Sequence, residues 1–141
     1  FSILDDATHL AVAQKRGIMA ATWNTDNRKH GPDAYVSSVM LDWDVFYVNE
    51  FRNRIEGKWT GNRTELLALG NGVDRDEWGQ AVPQAARDAG DAAREKILAG
   101  WNPFSGSMKD NTGAQRLNEG DEMSVADVYG WTWAVEGVSG L

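Results

Sequence analysis

Two short apolar runs, Phe1-Ser2-Ile3-Leu4 and Ile18-Met19-Ala20-Ala21-Thr22-Trp23, bracket a helix-like stretch, and this alternation constrains the chain more than any other feature. Strand, helix and strand in that order make a βαβ unit, because parallel strands need a crossover of about this length. Within the crossover, residues 7–16 place Leu10, Ala11, Ala13 and Gln14 at helical spacing. Asp6 or Thr8 stands at the N-cap and Gly17 at the C-terminal stop. The second run ends in polar Asn24-Thr25-Asp26-Asn27, as expected of a buried parallel strand. The first run opens in mid-strand, so an upstream lobe with its own signal sequence is expected before Phe1.

The alternation continues. Gly31-Pro32-Asp33 marks a turn, and residues 34–40 read as a further strand. From Asp42, the residues Trp43, Phe46, Tyr47, Glu50, Phe51, Arg54 and Ile55 follow helical spacing up to Gly57, predicting a helix that buries an aromatic face. Residues 64–69 are a strand candidate, followed by a glycine turn and a weak strand at 73–75. Pro83 opens an Ala-rich helix that runs to residue 99, with Arg87, Asp91, Arg94, Glu95 and Lys96 on a charged face. Beyond Trp101 turn signals are dense. A capped short helix is expected at Ser124-Val125-Ala126-Asp127 and a terminal strand at residues 131–135. The fold class read from this order is α/β, a mostly parallel sheet flanked by helices with an irregular, hairpin-rich C-terminal tail.

Composition narrows function by exclusion. With 141 residues the default is one domain. The net charge of -7, with 14 Lys and Arg scattered along the chain, argues against nucleic acid as a partner. There is no Cys, which excludes disulfides, thiolate metal sites and thiol nucleophiles. No apolar run approaches the roughly 20 residues of a transmembrane helix. The seven Trp are more than a chain of this size usually carries, and at least five are expected to pack in the core or under loops.

One segment carries a resemblance. Trp101-Asn102-Pro103-Phe104-Ser105-Gly106-Ser107-Met108-Lys109-Asp110-Asn111-Thr112-Gly113, with the ending Trp131-Thr132-Trp133-Ala134-Val135-Glu136-Gly137-Val138, resembles the basic membrane protein family. Asp5 before a helix, Thr25-Asp26 after a strand, Leu41-Asp42-Trp43 opening the aromatic helix and Val82-Pro83 opening the long one follow the family's order. Leu41, Asp42 and Asp44 depart from the pattern of close relatives. The resemblance implies the C-terminal portion of a substrate-binding component of an ABC importer, one lobe of a type I periplasmic-binding-protein fold. Residues 1–63 would supply ligand-lobe βαβ units, 64–100 the crossover strands and long helix, and 101–141 the tail. It further implies a purine nucleoside or nucleobase-like ligand in an interlobe cleft, an N-terminal lobe missing from the chain, and an ABC permease as partner. The location implied is periplasmic or otherwise extracytoplasmic, with lipid anchoring through the absent N-terminus as one form of attachment.

The residues themselves suggest where a ligand would sit. In open α/β sheets, ligands lie beyond the carboxyl ends of parallel strands, near helix N-termini. The loop after the first run offers Asp5 and Asp6, one to cap the helix and the other, by family position Asp5, to face the ligand. The loop after the second offers Asp26, an acceptor suited to a sugar diol, against the alternative that it only bonds its own turn. Trp23 and Trp43 adjoin these loops, and an indole face stacks on a purine ring. Asp42 stands where it would cap the helix or reach the ligand. His9 and His30 are not at metal-ligand spacing, and neither a metal nor a cofactor is expected. No nucleophile elbow, phosphate loop or paired carboxylates point to catalysis, so the expectation is a binding protein and not an enzyme. The rivals are a sensory or regulatory module of the same fold and, less favoured, a small nucleoside-processing enzyme.

Overall fold

The computed structural model describes residues 6–139, and the chain divides into two compact units, Phe1–Arg94 and Glu95–Leu141. The run at residues 1–4 and Asp5 lie outside the described residues.

In the first unit, helix α1 (Thr8–Arg16) begins beside Asp6, whose Oδ1 accepts the Thr8 N–H at 2.8 Å. It ends where Gly17 turns left-handed (φ 64°), so that the Ile18 N–H reaches Ala13 O at 3.0 Å. Strand β1 (Ala20–Trp23) then runs parallel to β2 (Tyr35–Leu41), in register at Ala20↔Tyr35, Thr22↔Ser38 and Trp23↔Val39. Leu10, Ala13, Ala34 and Tyr35 form the core between α1 and these strands, with Ala20 packed against it.

The sheet has four strands in the order β1-β2-β4-β3, where β3 is Ala68–Leu69 and β4 is Gly72–Arg75. Two of the three pairings are parallel, so the mostly parallel α/β sheet read from the sequence is the one that forms, with β4 reversed against β2. Only Gly70 and Asn71 separate β3 from β4, too few for a parallel crossover. The pairing is a wound turn at the sheet edge, closed by bonds between Ala68 and Asn71 and carried by the left-handed Gly70 (φ 78°) and Gly72 (φ 85°). The strand expected at 64–69 therefore shrinks to its last two residues.

Helix α2 (Trp43–Ile55) forms where its periodicity predicts, with Asp42 as N-cap. The expected burial of its aromatic face does not occur. None of its residues is buried, and the row Trp43, Tyr47, Phe51 and Ile55 rises from 46% to 87% exposed along the helix. The aromatic periodicity is sound, but a sheet that thins to a two-residue edge strand has no surface left to cover that row. The tryptophans are likewise less buried than expected: Trp43, Trp59 and Trp101 are exposed, and Trp23, Trp78, Trp131 and Trp133 half-buried.

Helix α3 (Gln84–Leu98) is held to β4 by charge, since it buries no residue. Arg94 Nε donates to Asp74 Oδ1 at 2.8 Å, and Arg75 Nη2 lies 2.5 Å from Asp91 Oδ1. Trp78 donates to the same Asp91 oxygen at 3.1 Å while its ring lies 4.5 Å from the Arg75 guanidinium.

The second unit is the irregular, hairpin-rich tail. β5 (Met108–Lys109) and β6 (Gln115–Leu117) pair antiparallel around Asp110, which is 2% exposed. Asp110 Oδ1 accepts from Thr112 N, Thr112 Oγ1 and Ala114 N, and Oδ2 from Arg116 Nε at 2.7 Å. Helix α4 (Val125–Tyr129) carries a full capping box between Ser124 and Asp127, as the sequence predicts. The strand expected at 131–135 reduces to a single bridge between Val135 and Asp110.

Candidate ligand-binding rim

β1 and β2 are parallel, with a register shift between Ala20 and Thr22, so their carboxyl ends open at one rim of the sheet. Neighbouring strands lie about 4.8 Å apart, so the segments that follow them emerge side by side. The first is Asn24-Thr25-Asp26-Asn27. It is tied to β2 by the Asn24 N–H, which donates to Val39 O at 2.7 Å, and Asn24 itself takes φ 60°, the left-handed conformation that Asn tolerates. The second begins at Asp42, whose N–H donates to Gly72 O at 2.9 Å and whose Oδ1 accepts the Asp44 N–H at 3.1 Å.

Of the five residues singled out in the sequence, Trp23 ends β1, Asp26 lies three residues beyond it, and Asp42 and Trp43 directly follow β2. Asp5 lies outside the described residues. Asp42 and Trp43 are neighbours in sequence but border different hollows. Asp42 lines one of about 350 Å³ with Met40, Leu41, Gly70, Gly72 and Asp74. Trp43 lines another of about 280 Å³ with Phe46, Arg63, Glu65 and Leu67. Asp42 also fulfils the capping role that its position suggested.

Asp26 is not an isolated carboxylate. Its Oδ1 accepts from both the backbone N–H and Nε of Arg28, at 2.9 and 2.8 Å. Arg28 opens a short 3₁₀ turn, Arg28–His30, and its Nη2 donates to Asp76 Oδ2 at 2.8 Å. Tyr35 OH donates to the same Asp76 oxygen at 2.8 Å, and Arg28 lies 5.4 Å from the centroid of the Tyr35 ring. Burial opposes ionisation of Asp76, but the hydrogen bonds from Tyr35 and Arg28 outweigh it and hold its carboxyl below the ordinary range. Burial first, and then the bond to Asp76, push the Tyr35 hydroxyl well above the usual phenol value. Hydrogen bonds to Asp26 and then to Asp76 raise the Arg28 guanidinium further.

Arg28, Tyr35 and Asp76 were missed by the sequence reading. Arg28 had a local signal, since an Asp two residues upstream is the spacing of an Asx turn. Asp76 had none, because 48 residues separate it from Arg28. His9 is half-buried, and both of its ring nitrogens are without a hydrogen-bond partner.

The second unit carries a hollow of about 600 Å³ lined by Arg116, Asp121, Met123, Asp127, Trp131 and Trp133. The Trp131 and Trp133 rings lie 4.6 Å apart, with Arg116 5.7 Å from the Trp133 centroid. Among the described residues no group of three or more acidic or His side chains is arranged to hold a metal ion, and no helix is long and apolar enough to cross a membrane.

No protein-family model matches the chain. A purine-binding protein of Brucella abortus is 24% identical over 135 residues, which is 95% of this chain and 38% of that protein. A protein of Haloferax volcanii, named as the proposed glucose-binding component of an ABC transporter, is 28% identical over 99 residues, 67% of this chain and 24% of its own length. The chain thus spans less than two-fifths of the length of the curated relatives it matches. Both relatives are named as binding proteins and not as enzymes, and the similarity supports a solute-binding role.

Proposed function

We propose that the chain is the C-terminal part of an extracytoplasmic solute-binding protein that serves an ABC importer and holds a purine nucleoside or nucleobase against the β1–β2 rim. The observation that carries this reading is the parallel register of β1 and β2, from which the Asp26 loop and the Asp42-Trp43 step leave the sheet together. In this arrangement Asp26 accepts from a ligand hydroxyl or N–H, Trp43 or Trp23 supplies an indole face for a flat base, and Asp42 adds a second carboxylate. Residues 1–63 bear the ligand-facing units, residues 64–100 the crossover and residues 101–141 the tail, while an upstream lobe supplies the opposing jaw. Closure of the two lobes over the ligand is then what a permease recognises, and no chemical step is needed. The similarity to a purine-binding protein over 95% of the chain favours purines over sugars.

Calorimetric titration with adenosine, inosine, guanosine and glucose tests the reading, using this chain and the natural protein with its upstream sequence. The expected result is saturable binding of at least one purine nucleoside to the longer protein and weaker binding to the chain alone. Binding of glucose without any purine would replace the ligand class. Absence of binding by all four, with no small molecule released from the purified longer protein on denaturation, would overturn the carrier reading.

A further inference from the structure

The Asp26 carboxylate is the exposed end of a chain of charge that runs down into the core. Along it the side chains go from Asp26 at 47% exposed, through Arg28 at 36%, to Asp76 at 19%. Tyr35, at its foot, is fully buried. Each link is fixed by the next. Ser37 Oγ donates to Asp76 O, the Asp76 N–H donates to Ser38 O, and Tyr35 OH fixes Asp76 Oδ2, each at 2.8 Å. Arg28 then spans from Asp76 to Asp26 with separate nitrogens, Nη2 and Nε, as the rigid guanidinium fork permits.

We propose that Arg28 is a positioning residue that locks the Asp26 carboxylate in one orientation, with Oδ1 engaged and Oδ2 alone offered to a ligand. This deepens, and rests on, the reading in which Asp26 contacts the solute. It also changes what Asp26 can recognise. Both of the donors on Oδ1 come from Arg28, so a sugar diol gripped through both carboxylate oxygens would have to compete with that residue for Oδ1. Asp26 therefore takes a single donor from the ligand. A ribose held here has one essential hydroxyl, and the other vicinal hydroxyl is dispensable at this residue. Arg28 also sets the affinity by prior ordering, since a carboxylate already fixed loses no rotamer freedom when the ligand arrives.

Two measurements on the full chain test this. The first needs no ligand: three-bond couplings from Asp26 Cγ to its backbone N and carbonyl carbon report how many χ1 rotamers are populated. Single-rotamer values are expected in the native protein, averaged values in Arg28→Met, and partial averaging in Arg28→Lys, which keeps the charge but cannot span both carboxylates. Tyr35→Phe serves as a second variant if Arg28→Met does not fold, and partial averaging at Asp26 is expected there too. Averaged couplings in the native protein, or single-rotamer couplings in all the variants that fold, overturn the proposal. The second measurement compares adenosine with its 2′-deoxy and 3′-deoxy forms. One deoxy form should bind within about twofold of adenosine and the other much more weakly, and Arg28→Met should weaken adenosine by roughly 2- to 12-fold, the ordering of one side chain. Equal, severe loss with both deoxy forms would show a two-oxygen grip and overturn the single-donor assignment. If no nucleoside binds the native chain, the purine-carrier reading loses support while the couplings still decide the role of Arg28.

Discussion

Leu10 closes so tightly on Gly31 that a Cβ on the glycine would lie 2.8 Å from Leu10 Cγ and 2.9 Å from the Leu10 carbonyl oxygen. Gly31 O also accepts from the N–H groups of Ala34 and Tyr35, which start the turn into β2. The contact therefore joins α1 to the entry of the second parallel strand. Among the described residues few apolar side chains are fully buried, so each carries a large share of the packing. Leu10→Ala is expected to cost about 2–5 kcal/mol through the cavity it leaves. Gly31→Ala is expected to cost about 1–3 kcal/mol through overpacking. Urea unfolding with an unchanged m-value measures both, and losses near zero would mean that α1 is not docked against this turn.

Two further glycines separate a rigid obstacle from a movable one. A Cβ at Gly79 would fall 1.7 Å from Tyr35 O, in a segment whose N–H is bonded to Val36 O at 2.8 Å. Backbone cannot step aside without breaking the pairing to β2, so Gly79→Ala should cost at least about 3 kcal/mol. A Cβ at Gly90 instead meets the outer edge of the Trp78 ring at 2.6 Å. There the ring tilts outward, and the helix gains up to about 1 kcal/mol from replacing an interior glycine. Gly90→Ala should leave stability within about 1 kcal/mol of native and shift Trp78 fluorescence to longer wavelength, both read in one denaturation series. Equal destabilisation by the two substitutions would contradict this distinction.

How much of this was legible in the sequence follows from the range over which each interaction acts. Caps and stops are local, and Gly17, Ser124 with Asp127, and Asp42 do what their neighbours predict. The βαβ unit read from residues 1–23 starts on a run outside the described residues, whereas the parallel β1–β2 pair is joined by residues 24–34, which hold only the 3₁₀ turn Arg28–His30 and no α-helix. Periodicity located α2 but said nothing of what lies opposite, so the exposure of Tyr47, Phe51 and Ile55 was invisible. Residues 131–135 alternate like a strand, yet a strand needs a run of free backbone groups opposite it, and here two bonds, Asn111 N–H to Ala134 O and Glu136 N–H to Lys109 O, make the single bridge Asp110↔Val135. The same limit hid the Arg28–Asp76 bond.

The acid limb of the stability profile should depend on the second unit. Hydrogen bonds from Thr112, partly offset by burial and reinforced by Arg116, hold the Asp110 carboxyl far below the ordinary range. A depressed folded pKa means that the unfolded chain binds the proton more readily. The contribution of Asp110 is therefore complete above the unfolded carboxylate value, near 4, and is lost as pH falls through lower values. Asp110→Asn keeps an acceptor for Thr112 and Ala114 but loses the charge that meets Arg116. It should lower the melting temperature at pH 7 and flatten the fall below pH 4. Tyr35 works in the opposite direction: its hydroxyl is raised, so its contribution is complete below about pH 10 and lost above it. Tyr35→Phe should remove that alkaline loss. Unchanged profiles on both limbs would contradict the two assignments.

Asp42 holds two roles that one substitution cannot separate, and a pair of substitutions can. Its carboxylate caps α2 through the Asp44 N–H, and it lines the hollow beside Gly70 and Gly72. Serine is also a strong N-cap but brings no charge, whereas alanine does neither. Asp42→Ser should therefore stay within about 0.5 kcal/mol of native stability, while Asp42→Ala loses about 1 kcal/mol. If Asp42 meets the solute as proposed, both variants lose nucleoside affinity to a similar extent, because both lack the carboxylate. If Asp42→Ser binds like the native protein, Asp42 is a helix cap alone, and the recognition assigned to the β1–β2 rim falls to Asp26 and the indoles.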